Sequence, residues 1–143
     1  MCYPLFYAHE VLKHWINKHS DSFPPIVIHM TGGKSDDGDP IPYADSIKNL
    51  ATMDGQILLF NSYFSHFETD SILFPDNQVN LPDDNSRMLF QMSSQLPDSF
   101  FQRANCQGMD IQPNARRMSI NADLGLIIRF SGWAPNCELC SAC

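Results

Sequence analysis

The chain has 143 residues and a mass of 16.2 kDa, which is the size of one domain, and 43% of its residues are hydrophobic, enough for a sizeable core. Its 16 acidic and nine basic residues give a formal net charge of −7. Proteins that bind nucleic acid usually carry a basic stripe, and the single adjacent basic pair here is Arg116 and Arg117. The composition therefore argues against a nucleic-acid partner.

Membrane insertion and secretion are not expected either. The longest apolar runs, residues 26–28 and 57–60, are far shorter than the roughly 18 residues of a membrane span. The first residues, MCYPLFY, lack the basic start of a secretory signal. Five cysteines, an odd number with three among the last seven residues, do not resemble a secreted disulfide framework. We therefore expect a reduced, cytoplasmic protein.

The first two predicted elements are a helix and a strand. An apolar stripe at steps of three and four runs along residues 4–18 and predicts an amphipathic helix; its members are Leu5, Ala8, Leu12, Trp15 and His19. Residues 26–31 then form a short, β-branched, apolar run without polar alternation. Such a run predicts a strand covered on both faces.

The same alternation continues along the rest of the chain. Periodicity predicts helices over residues 43–53, 85–94 and 123–130, strands over residues 56–64 and 118–122, and irregular structure over residues 65–84. Alternating helices and strands indicate an α/β fold with a parallel sheet, because parallel strands need helical crossovers. A ligand is expected at the carboxyl ends of the strands, where the loop after Thr31 lies.

The segment that carries the most specific signal is residues 22–40, SFPPIVIHMTGGKSDDGDP. It resembles a bacterial, cytoplasmic branch of the von Willebrand factor A-type (vWA) domains, in which a strand ending in Thr-Asp-Gly leads into a Thr/Ser-Asp-Gly-Asp-Pro loop. Weaker likenesses follow in the expected order at residues 58–61, 72–75, 81–83, 92–94 and 121–123. The resemblance implies a partial vWA domain over residues 1–132, with a cysteine-rich tail, residues 133–143, outside it.

The resemblance also implies a fold. The family has a doubly wound, Rossmann-like sheet of about six strands, and this chain would hold its C-terminal half, about three parallel strands with flanking helices. The first strand of the family pairs beside the strand that carries Thr-Asp-Gly. Without that first strand, residues 26–31 become an exposed edge that invites strand addition by a partner or self-association.

The metal site of the family is degenerate in this chain. Intact members bind Mg²⁺ through an Asp-x-Ser-x-Ser motif, a loop Thr before a Pro, and the Asp of Thr-Asp-Gly. The first motif is absent, Tyr3 precedes Pro4, and Gly32 replaces the Asp, so Thr31, Gly32 and Gly33 are a remnant. Mg²⁺ needs oxygen ligands and usually takes one or two carboxylates, and Gly32 supplies no side-chain oxygen. We expect no cofactor and no metal at this loop.

The same loop is the candidate partner-binding site, with the residues Lys34, Ser35, Asp36, Asp37 and Asp39. A solvated acidic loop is the simpler interpretation of these residues. The sequence has no Gly-x-Ser-x-Gly elbow and no complete phosphate-binding loop, so no nucleophile and base pair is positioned for catalysis. The prediction is a non-enzymatic, metal-independent protein-interaction module of vWA type, truncated relative to the family, with an unidentified protein partner.

Three alternatives remain open. Cys137, Cys140 and Cys143 form a Cys-x2-Cys-x2-Cys cluster, but zinc takes four ligands, and the fourth would have to come from Cys2, Cys106 or a histidine. A tail without function, in a gene remnant, explains the same cluster. A hydrolase or phosphotransferase that uses the acidic loop is the third alternative.

The histidines of the first predicted helix do not form a metal site. His9, His14 and His19 recur every five residues and do not converge on one helix face.

Overall fold

The computed structural model of the protein describes residues 1–66, 68, 70–98, 100, 104, 109–123 and 125. Among these residues the elements are, in chain order, α1 (Cys2–Ile16), β1 (Ile26–Thr31), α2 (Ile41–Lys48), β2 (Ala51–Thr52), β3 (Gly55–Gln56), β4 (Leu58–Tyr63), β5 (Ile72–Leu73), α3 (Asp84–Met92) and β6 (Met118–Ile120).

The main sheet has four strands in the order β1-β4-β6-β5. Strand β1 pairs parallel with β4, from Ile26 opposite Leu58 to Thr31 opposite Tyr63, and β6 pairs parallel with the other side of β4. The short strand β5 runs antiparallel to β6. Helices α2 and α3 lie in the two crossovers between the parallel strands. The predicted α/β class, with three parallel strands and flanking helices, is confirmed.

Two apolar clusters fill the two faces of the sheet. On one face, which we call the helix face, side chains of β4 and β6 pack against α1, α2 and α3; among the members are Leu59, Tyr63, Met118, Leu5, Ile47 and Leu89. On the opposite face, Phe60 packs with Phe74, Leu96 and Phe100. Strand β4 contributes to both clusters because alternate residues of a strand point to opposite faces.

A buried polar bridge joins β1, β4 and α3 on the helix face. Asn61 is fully buried, and its Nδ2 donates to Ser93 Oγ at 2.8 Å and to Leu89 O at 3.3 Å. Its Oδ1 is therefore the acceptor for His29 Nδ1, 2.8 Å away, which fixes the proton of the neutral imidazole on Nδ1. Burial lowers the pKa of His29 despite this hydrogen bond. Three elements are thus held by one amide.

Two sequence expectations were wrong in detail, and a third is untested. The helix predicted over residues 43–53 ends at Lys48, because residues 51–56 form the β2–β3 hairpin. Residues 53–54 make its turn, and Gly55, whose φ is +137°, begins β3. Strand β5 lies within the stretch expected to be irregular. The helix predicted over residues 123–130 falls almost entirely outside the described residues.

The expectation that β1 is covered on both faces was also wrong. Ile28 and Met30 are 42% and 46% exposed on the face opposite the helices. The physical reason is position: β1 is the end strand of the sheet, and the opposite cluster is centred on Phe60, one strand further in.

None of the helices in the described part of the chain combines the length and apolarity that a transmembrane span needs.

Replacing His29 tests the polar bridge through its pH dependence. The pKa of His29 is lower in the folded chain than the value of 6.5 expected in the unfolded chain. Its contribution to stability is therefore complete above pH 6.5. Below that pH the unfolded chain binds a proton more readily than the folded chain, and the fold is destabilised. We expect the melting temperature of the wild type to fall between pH 7.5 and 5.5, and that fall to shrink in His29→Gln. The exposed His66→Gln is the control. An unchanged pH dependence in His29→Gln would contradict this role.

Candidate functional site

The loop that follows β1, residues 32–40, lies at the carboxyl ends of the parallel strands; we call it the strand-end loop. It runs from Thr31 to the start of α2 and reaches the start of α1. Asn121, which follows β6, accepts a hydrogen bond from Ser65 N at 2.7 Å at the same end of the sheet. This is the position at which parallel sheets usually bind ligands.

Asp37 of the strand-end loop is occupied by the start of α1. Its Oδ1 accepts from Cys2 N and its Oδ2 from Tyr3 N, both at 2.9 Å, and the Met1 amine also donates to Oδ1. The first backbone N–H groups of a helix have no partner within the helix, so a carboxylate there is stabilising. Hydrogen bonds from the Met1 amine, Tyr3 and Cys2 hold the pKa of Asp37 well below its usual range.

The other predicted loop residues differ in their hydrogen-bond partners. Asp39 Oδ1 accepts from Ile41 N at 3.0 Å and supports the start of α2, while Ser35 Oγ lies 2.7 Å from Gly38 O. Lys34 and Asp36 form an ion pair of 2.7 Å, and their side chains are 80% and 74% exposed. Of the five predicted partner-binding residues, Lys34 and Asp36 project into solvent, whereas Asp37 and Asp39 are engaged with helix starts.

Thr31, Gly32 and Gly33, which the resemblance marks as the remnant of a metal site, include two glycines in different surroundings. Thr31 Oγ1 accepts from Gly33 N at 3.0 Å. Gly33 has φ +92°, and an added Cβ would lie 2.4 Å from Tyr63 Cε2, so the backbone packs directly on the ring. At Gly32 an added Cβ would meet nothing within 4 Å. Gly33 is required by the fold, whereas Gly32 is not.

No group of three His, Cys, Asp or Glu side chains that could hold a metal ion occurs among the described residues. The candidate ligands Cys137, Cys140 and Cys143 lie outside them. Cys2 is a buried free thiol, 3.8 Å from Ser35 Oγ.

Asp83, which was not among the site residues predicted from the sequence, is a further carboxylate near the loop. Tyr63 Oη donates to Asp83 at 2.5 Å, and Asp83 caps α3 by accepting from Ser86 N at 2.7 Å. Burial would raise the pKa of Asp83, but the hydrogen bonds from Tyr63 and Ser86 outweigh it and lower the pKa. The Asp-x-x-Ser spacing was the available sequence signal for this cap.

The open side of β1 is the second candidate surface, and we call it the β1 edge. Phe64 N donates to Thr31 O, so the backbone groups of Thr31 point toward β4. Because these directions alternate along a strand, those of His29 and Val27 point the same way, and those of Ile26, Ile28 and Met30 point outward. Within the described part of the chain, β1 pairs with β4 alone.

An apolar groove of about 510 Å³ adjoins the β1 edge. It lies between the second half of α1 and the start of β1, and its lining consists of Val11, Leu12, Trp15, Phe23, Pro24, Pro25 and Ile26. The lining carries no charged side chain, so the groove extends the apolar character of the β1 edge onto α1.

Comparison with protein-family models, with curated proteins and with solved structures gave no match.

The two glycines of the strand-end loop give a matched pair of variants. We expect Gly33→Ala to lower the free energy of unfolding by roughly 1–3 kcal/mol, because the new side chain would be held at a positive φ against the Tyr63 ring. Gly32→Ala should be close to neutral, since its Cβ enters open space. Urea unfolding of both variants measures the difference, and equal effects would refute this account of the loop.

Two neighbouring aspartates provide a second matched pair. Asp37→Asn should lower the melting temperature, because the amide has no charge to stabilise the start of α1. Asp36→Asn removes the same charge from an exposed ion pair and should leave the melting temperature nearly unchanged. Thermal unfolding at pH 7 compares them; a larger effect of Asp36→Asn would reverse the assignment.

Proposed function

We propose that the chain is a non-enzymatic protein-interaction module of the vWA type, which binds its partner through the β1 edge without a metal ion. The observation that carries the proposal is the exposure of an end strand whose outward backbone groups belong to Ile26, Ile28 and Met30. Exposed strand edges of this kind bind an added strand through main-chain hydrogen bonds.

The composition of β1 supports strand addition. Proteins usually protect an exposed edge with charged residues, prolines, bulges or a very short strand. Strand β1 has six residues, IVIHMT, without a charge or a proline, and it pairs with β4 without a bulge. Two of its side chains, Ile28 and Met30, are nearly half exposed. An incoming strand would therefore gain both hydrogen bonds and apolar contacts.

The vWA assignment rests on the sequence of residues 22–40 and on their position in the sheet. The resemblance places the first strand of the family beside the strand that ends at Thr31, and the open side of β1 is available for that strand. Strands β1, β4 and β6 are parallel and are linked by helical crossovers, as in a parallel α/β sheet.

Metal independence and the absence of a catalytic step are part of the proposal. The carboxylates of Asp37, Asp39 and Asp83 each accept hydrogen bonds from the start of a helix, whereas Asp36 of the strand-end loop forms an ion pair with Lys34. A cytoplasmic location belongs to the same proposal and is supported by the odd number of cysteines and the free thiol of Cys2.

Selection from a peptide display library tests the proposal. The wild-type chain is immobilised at low density in EDTA, and recovered peptides are measured against two variants of equal charge. Ile28→Lys/Met30→Lys alters the β1 edge, whereas Met53→Lys/Val79→Lys alters side chains that are 82% and 84% exposed elsewhere. We expect the edge variant to bind at least about tenfold more weakly.

The control variant should bind like the wild type, and added Mg²⁺ should leave the affinity unchanged. A selection that yields no peptide, peptides that bind the edge variant equally well, or a requirement for Mg²⁺ would each contradict the proposal.

A further inference from the structure

We infer that the partner of the β1 edge is a second copy of this chain, paired antiparallel about a two-fold axis that passes through Ile28. This inference rests on the proposed function of the edge and names its partner.

The outward backbone groups are arranged symmetrically about Ile28. The residues that point away from β4 are Ile26, Ile28 and Met30, with Ile28 in the middle. In an antiparallel pair centred there, Ile28 lies opposite Ile28 of the second copy, and Ile26 lies opposite Met30. Residues that face each other in this way exchange two hydrogen bonds per pair. All three outward residues of each copy thus obtain partners from the same three residues of the other.

The side chains of the same residues share one face, because residues two apart on a strand point the same way. That face is the one on which Ile28 and Met30 are exposed. The symmetric pairing places Ile28 against Ile28 and Met30 against Ile26 across the junction. Cross-strand pairs of this type are the unit of sheet stabilisation. The exposed apolar surface of β1 is therefore covered by its own copy.

Charge selects the antiparallel arrangement. The net charge of −7 opposes self-association in general, but residues 23–31 carry no formal charge. Each strand-end loop follows the C-terminus of β1, so an antiparallel pair holds the two loops about 20 Å apart, the length of a six-residue strand. That separation exceeds the Debye length of about 8 Å at physiological salt. A parallel pair would bring the two acidic loops together.

The apolar groove beside α1 adjoins the proposed junction between the two copies. A two-fold axis perpendicular to the sheet keeps both α1 helices on one face of the joined sheet. The exposed side chain of Val11 and the half-buried Trp15 line the groove next to Ile26 in each copy. The groove lining next to the start of β1 is therefore apolar in both copies, which matches the uncharged residues 23–31.

Sedimentation velocity of the full chain, in reducing buffer over a range of concentrations, tests the inference. We expect a concentration-dependent species of twice the 16.2 kDa mass. Ile28→Lys/Met30→Lys should raise its dissociation constant at least about tenfold, because four ammonium groups would then meet around the axis. Met53→Lys/Val79→Lys adds equal charge elsewhere and should dimerise like the wild type. Circular dichroism melts establish that both variants fold.

A cysteine pair tests the register independently of the charged variants. Across the axis, the Cα atoms of Ile28 and its copy lie about 5.5 Å apart, within reach of a disulfide. Met30 and its copy are offset by four residues, about 13 Å. Under mild oxidation Ile28→Cys should form a covalent dimer above the wild-type background, and Met30→Cys should not.

The results separate this inference from the proposed function. A wild type that stays monomeric at all concentrations, a dimer unaffected by the edge variant, or equal crosslinking at both positions overturns the second copy as partner. If the chain is monomeric but still selects peptides that bind the β1 edge, the inference is refuted and the proposed function is not. If the chain dimerises through the edge but selects no peptides, the proposal of a general interaction module is refuted and the pairing of two copies is supported.

Discussion

The side-chain amide of Asn61 is the interaction on which the candidate surface depends. It lies in the middle of the central strand β4 and connects His29 of β1 with Leu89 and Ser93 at the end of α3. A strand that slips by one residue exchanges its faces. Because the amide keeps His29 on the helix face, Ile28 and Met30 must lie on the opposite face, where they are exposed. The buried contact of Asn61 with His29 thus determines which side chains of β1 are exposed.

The acidic residues around the strand ends stabilise the starts of the helices. Each helix begins with backbone N–H groups that lack partners, and a carboxylate is the strongest acceptor that the chain can offer them. Asp37, Asp39 and Asp83 are used in this way at α1, α2 and α3. An aspartate-rich loop beside parallel strands therefore does not by itself indicate a cation site, because helix starts compete for the same oxygen atoms.

The main elements of the fold could be predicted because their signals are local. The apolar runs at residues 26–31 and 56–64 correspond to β1 and β4, and the helical periodicity near Leu89 corresponds to α3. The hairpin of residues 51–56 and the two-residue strand β5 were missed because such short elements are set by their neighbours. The role of Asp37 depends on a partner 35 residues away, and the bond between His29 and Asn61 spans 32 residues. Contacts of that range leave no periodic trace in a sequence.

The two edge strands of the sheet differ in length, and this difference limits how many copies of the chain could join. At the end opposite β1, the last strand is β5, which has two residues and runs antiparallel to β6. A strand that short offers an incoming chain few backbone groups. If copies join through β1, the joined sheet of described strands ends on both outer sides at β5, which offers a third copy no comparable strand. Fibrils need two edges on every subunit that can each bind another copy, and the described strands include one.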